Sequence, residues 1–169
     1  WLANTVTALG TWIQNTASAW IMTDLAPSPM MVSLVQAAAQ LPVLLLALPA
    51  GALADIMDRR RHLILTNMLM LVAATALAIV AALGRLDATI LLALTALLAV
   101  GAGLNNPAWS ASVPLTVQRQ VLPQALVLNS VGFNIARAVG PALGGLILTV
   151  AGSTVAFAAN AASFAFVAL

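Results

Sequence analysis

Six apolar stretches, each near the length that crosses a bilayer, alternate in this sequence with short breaks that hold nearly all its charge. A helix needs about 20 mostly apolar residues to cross a hydrocarbon core about 30 Å thick, because each residue advances it by about 1.5 Å. By that measure transmembrane helices are predicted at about 1–23, 31–54, 62–83, 88–113, 124–150 and 154–169. The breaks read DLAPSP (24–29), DIMDRRR (55–61), GRLD (84–87), a Pro114 to Pro123 segment with Arg119, and AGS (151–153). Connections this short predict hairpins, with consecutive helices as antiparallel neighbours. The expected fold class is an all-α membrane protein of one domain, residues 1–169.

Polarity divides the six spans. The third and sixth are read as the least polar, and both are expected to face lipid. Beside the lone Asn67 of the third, amide pairs fall in the others: Gln14 and Asn15, Gln36 and Gln40, Asn105 and Asn106, Asn129 and Asn134. An amide in hydrocarbon costs free energy unless it is partnered, so these should turn toward other helices or a wet cavity. Arg59, Arg60, Arg61 and Arg119 lie in the second and fourth breaks, against Arg85 alone in the odd-numbered ones. Cytoplasmic loops retain arginine, so the N-terminus is expected in the cytoplasm. Trp20 and Trp109, near span ends, suit interfacial anchoring or a packed interior.

Composition removes whole classes of function. Hydrophobic residues make up 63% of the chain and charged residues 6%, against about 45–50% and about 25% in soluble domains, so a water-soluble fold is excluded. The six arginines are too few and too scattered for a phosphate-binding face, and no nucleic-acid partner is expected. Lys, Glu, Tyr and Cys are absent, which removes disulfides, thiolate metal sites and cysteine nucleophiles. No catalytic residues, metal or cofactor are expected. The single histidine, His62, sits at a loop edge beside three arginines, without the spacing of a metal site or a nucleophile–base pair. The chain begins without Met in one apolar run and stops in another, and it reads as a fragment without a signal peptide.

The fifth span carries the most unusual chemistry. Gly132, Ala136, Gly140 and Gly144 recur every fourth position, forming a stripe of small residues that lets a partner backbone approach closely. Pro141 removes a backbone donor beside that stripe, and a kink is expected there. Arg137 lies about 20 Å of helical rise into the span, near mid-bilayer. A guanidinium there costs at least about 2.5–3.5 kcal/mol and stays charged, so it requires a partner. Carbonyls, the amides Gln14, Asn15, Asn105 and Asn106, an acid elsewhere in the protein, or an anionic ligand would each serve. Asp55, at the inner end of the second span, faces the negative pole of its own helix and should be held by Arg59, Arg60 or the N-terminus of another helix. Asp58 is expected to cap the third span.

Gly51-x-x-x-Asp55-x-x-x-Arg59-Arg60 resembles the loop signature between the second and third helices of the major facilitator superfamily. Gly140-Pro141-x-x-Gly144-Gly145 resembles the fifth-helix signature of its exporters and antiporters. Gly10-Thr-Trp-Ile-Gln14, Pro49-Ala-Gly51, Asn106-Pro-Ala-Trp109 and Asn129-Ser resemble a bacterial branch with enterobactin-exporter and macrolide-efflux-type proteins. The resemblance covers essentially the whole chain. It implies the N-terminal six-helix half of a 12-helix fold, built as two inverted three-helix repeats, in a bacterial inner membrane. It implies a cytoplasmic gate at Gly51, Asp55, Arg59 and Arg60, and a hinge and seam at Gly132, Ala136, Gly140, Pro141, Gly144 and Gly145. Ile56 and Asp58 stand where the superfamily usually has Arg and Gly, and the fourth span lacks the arginine linked to proton relay in many antiporters.

The expected function is secondary transport, exporting a small molecule such as a drug or siderophore by alternating access. Gln14, Asn15, Asn105, Asn106, Asn134 and Arg137 are the candidate cavity lining. The expected partners are the lipid bilayer, a missing C-terminal half, a small-molecule substrate and protons as a candidate coupling ion. The alternative is a non-transporting membrane scaffold that dimerises through the glycine stripe.

Overall fold

A computed structural model describes residues 1–168, and all regular structure in it is helical. The elements are α1 (Leu2–Leu25), α2 (Pro29–Ile56), α3 (Arg59–Ala82), α4 (Ala88–Thr116) and α5 (Leu122–Ala168). Four of them, α2 to α5, are long and apolar enough to cross a membrane. α1 falls outside that group because it carries Asn4, Gln14, Asn15 and a series of threonines. Three of those hydroxyls, on Thr7, Thr11 and Thr16, donate to the carbonyl four residues earlier at 2.9–3.0 Å, which satisfies them within the helix.

Helix starts follow local chemistry. Asp58 caps α3 by accepting from the Arg61 backbone N–H at 2.9 Å, and Asp87 caps α4 by accepting from Ile90 at 2.8 Å. α2 begins at Pro29, where a missing N–H costs nothing because the first amides of a helix lack intrahelical partners. Backbone dihedrals stay helical through Pro141, where a kink is expected; within α5 the non-helical residue is Gly152, at φ 81° and ψ 175°.

That one residue reverses the chain, as the register against α1 shows. Trp1 Nε1 donates to Leu128 O at 2.6 Å, Asn4 to Asn129 Oδ1 at 2.7 Å, and Gly140 lies on Trp12, so α1 and the N-terminal arm of α5 run parallel. Beyond Gly152 the order inverts: Phe157 joins Ala17 and Ile21 in the core, Asn160 bonds Gln14, and Ser163 O accepts from Thr7. α1 is therefore clasped by two antiparallel arms of one element. The predicted break at 151–153 falls at this position but is a single-residue reversal.

The other contacts correct the simple hairpin picture. α2 packs on α4 and barely touches α3, while α3 packs on α4 and on α5; α4 and α5 scarcely meet. Small residues decide this: a side chain at Gly103 would fall 3.1 Å from Val43 Cα, and one at Gly101 would strike Met70. The expectation that the third and sixth spans turn mainly to lipid is also corrected. The C-terminal arm of α5 buries Ala156, Phe157, Asn160, Ser163 and Phe164, and α3 buries Met70, Ala73, Ala74 and Leu77. The barest helix is α2, where Leu44, Leu45 and Leu48 are 71–88% exposed.

Candidate functional site

Polar side chains left open by this packing collect along α1, α2 and the N-terminal arm of α5. A cleft of about 430 Å³ opens between them, with Asn15, Thr16 and Thr23 from α1, Gln36 and Gln40 from α2, and Pro141 from α5. Trp12 and Trp20 supply its aromatic walls. Trp20 is 60% exposed, whereas Trp12 packs edge-on to Phe133 with ring centroids 6.5 Å apart. Gln36 and Gln40 are one turn apart and both exposed, so their donors and acceptors face the opening.

Arg137 stands on the same side. It follows Phe133 by one turn and precedes Pro141 by one turn, so the three align on one face of α5. The arm's register sets it at a level between Thr5 and Trp12 of α1, well inside the helical bundle's length. Its side chain is exposed and has no hydrogen-bond partner among the described residues. Asn134, also exposed, donates to Ser130 O of its own helix at 2.8 Å. The four acids all lie at helix ends: Asp24 in the last turn of α1, Asp55 in that of α2, and Asp58 and Asp87 at caps.

Not every predicted cavity residue joins this surface. Gln14 is 3% exposed and accepts from Asn160 Nδ2 at 2.5 Å, in an interior cluster that Ser163 completes by donating to the Asn160 carbonyl at 2.7 Å. Gly10 lies against that cluster, where a Cβ would fall 2.5 Å from Ser163 Oγ. Gln14 therefore ties α1 to the C-terminal arm of α5. Asn105 is half-buried and donates to Thr66 Oγ1 at 2.7 Å, joining α4 to α3, while Asn106 beside it is exposed. Trp109 is half-buried with its Nε1 enclosed and unpaired.

The glycine stripe is occupied within the chain. A Cβ at Gly132 would strike Thr5, one at Gly140 would strike Trp12, and one at Gly144 would come 2.9 Å from Ile13 O; Ala136 is fully buried. A scaffold dimerising through this stripe has no free surface there, because α1 fills it. Gly145 and Gly51 differ: nothing lies within 4 Å of a Cβ built on either.

At the end bearing the Arg59–Arg61 cluster, Arg59 Nη1 donates to Ala111 O at 2.8 Å, tying the start of α3 to the end of α4, and Asp55 and Arg60 are exposed. His62, in the first turn of α3 beside the loop, is buried: it is 2% exposed with Nε2 2.9 Å from Leu104 O. A carbonyl only accepts, so Nε2 carries the proton, and the ring is a tie between α3 and α4.

Sequence reasoning placed Gln36 and Gln40 among the amides but left them out of the site, and it passed over Trp12 and Asn160. The i, i+4 spacings of Trp12 with Thr16 and of Gln36 with Gln40 were the available signals.

A family model described as transmembrane secretion effector matches residues 1–169. The chain is 27% identical over 154 residues to a staphyloferrin A transporter of Staphylococcus aureus, an alignment covering 90% of this chain and 39% of that one. It is 31% identical over 154 residues to the multidrug efflux pump Tap of Mycolicibacterium fortuitum, covering 85% of this chain and 36% of the pump. The chain thus spans less than two fifths of the length of either relative. No solved structure matches it. A multi-pass helical membrane protein with an open polar front, matched from end to end by this family model, belongs to the transmembrane secretion effector family of the major facilitator superfamily.

Proposed function

We propose that this chain forms the N-terminal half of a secondary active transporter that exports a small molecule by alternating access. In this reading six segments cross a bacterial inner membrane: α1 to α4 and the two arms of α5, grouped as two inverted three-helix repeats. The N-terminus lies in the cytoplasm, consistent with Arg59, Arg60, Arg61 and Arg119 clustering at one end. The single observation that carries the reading is the polar front itself. Apolar helices present Gln36, Gln40 and Arg137 on one side without hydrogen-bond partners among the described residues, an arrangement costly against acyl chains and inexpensive against a water-filled route. A second half would close that route and cover the bare face of α2.

The substrate cavity then comprises Asn15, Asn106, Asn134 and Arg137, joined by Gln36, Gln40 and Trp12. Gln14 and Asn105 hold the wall behind it. Asp55, with Arg59 and Arg60, is positioned to latch the cytoplasmic side against the other half, and Gly51 and Gly145 leave room for its helices. The reading is tested by export from proteoliposomes holding the full-length protein. Arg137→Ala should abolish export while the protein still inserts and purifies, and undiminished export would remove Arg137 from the cavity.

A further inference from the structure

The one charge that this chain sets beside the cleft is positive. Arg137 is the only ionisable side chain of this chain between helix ends, and every acid lies at a helix terminus, Asp24 and Asp55 in last turns and Asp58 and Asp87 at caps. Arg137 is exposed, lacks a hydrogen-bond partner among the described residues, and stands one turn before Pro141, the α5 residue that lines the cleft, so it borders the cleft rather than lining it. The amides that line the cleft, Asn15, Gln36 and Gln40, are neutral and donate as readily as they accept. Its Trp12 and Trp20 walls offer flat apolar surface.

We infer that the transported substrate is an organic anion whose carboxylate pairs with Arg137 and whose apolar or aromatic body lies against Trp12 and Trp20; this rests on the transport reading above. A guanidinium holds a carboxylate through two parallel N–H···O bonds, a geometry that a lysine ammonium matches in charge but not in shape. The amides complete a polar lining without adding a competing charge. A cationic substrate would meet like charge at mid-membrane with no carboxylate of this half to offset it.

The test uses two dyes on one xanthene frame, anionic carboxyfluorescein and cationic tetramethylrhodamine methyl ester, with the full-length protein in proteoliposomes. Binding is followed by quenching of tryptophan fluorescence, and export by dye release. The wild type should bind and export carboxyfluorescein in preference to the rhodamine. Arg137→Gln should weaken carboxyfluorescein binding about 10- to 100-fold, as expected for a lost charge-assisted hydrogen bond, and Arg137→Lys should retain part of it. Rhodamine export that is equal in wild type and Arg137→Gln, without carboxyfluorescein binding, overturns the anion assignment and leaves transport standing. Carboxyfluorescein binding that depends on Arg137, without export of either dye, supports the carboxylate site and overturns transport. Neither binding nor export overturns both.

Discussion

Gly144 and Gly145 are adjacent, yet the structure assigns them opposite tolerance to a single methyl group. A Cβ on Gly144 would sit 2.9 Å from Ile13 O, 3.1 Å from Ile13 Cα and 3.1 Å from Thr16 Cβ, while one on Gly145 meets nothing within 4 Å. Two of the three atoms facing Gly144 are backbone, so relief requires moving α1 away from α5 as a unit. Overpacking of this kind costs about 1–3 kcal/mol. Replacing glycine by alanine also favours a helix by up to about 1 kcal/mol, but this applies to both sites and cancels in their difference. Gly144→Ala should therefore be less stable than Gly145→Ala by about 1–3 kcal/mol. The assay is equilibrium unfolding of the full-length protein in detergent, followed by helical circular dichroism. Equal stability of the two variants, or a less stable Gly145→Ala, would refute the α1–α5 register and with it the placement of Arg137.

Two further variants probe the same scaffold. Gln14→Leu and Asn160→Leu should each destabilise by about 1–2 kcal/mol, because each strands a buried amide, and the double variant should cost less than their sum; additive losses in the same unfolding assay would mean the two do not interact. Gly152→Ala should cost about 1–3 kcal/mol through backbone strain alone, since its φ of 81° with ψ near 180° suits glycine and no atom lies within 4 Å of the new methyl. Gly51→Ala, equally open but helical, is the control and should be neutral or slightly stabilising in stability measurements.

The span boundaries were legible because hydrophobic length and charge are local properties: the expected 88–113 and the observed Ala88–Thr116 begin at the same residue, capped by Asp87. The small-residue stripe was legible too, because fourfold spacing has one geometric meaning on a helix. What it packs against was not, since nothing in Gly140 or Gly144 specifies that α1 rather than another copy fills the groove. Gln14 and Asn15 show the same limit within the site. They are neighbours of similar chemistry, and a rotation of about 100° per residue sends one into the interior with Asn160 and the other into the cleft. The sixth predicted span was misread because Asn160 and Ser163 are few among apolar residues, though they lie on the same buried face as Phe157 and Phe164.

In the proposed transporter the Arg137 face of α5 borders water, whereas the outer face of α3 borders lipid. This chain has no cysteine, so single substitutions report without internal background from it. Asn134→Cys and Val72→Cys lie at matched depth, about 12 and about 13 residues into α5 and α3, or close to 20 Å of rise in each. Both positions are exposed on the chain. With any cysteines elsewhere in the full-length protein replaced, a membrane-impermeant, charged methanethiosulfonate reagent should modify Asn134→Cys at least about tenfold faster, since only a hydrated thiol forms the reactive thiolate. Equal rates, or faster reaction at Val72→Cys, would contradict the account.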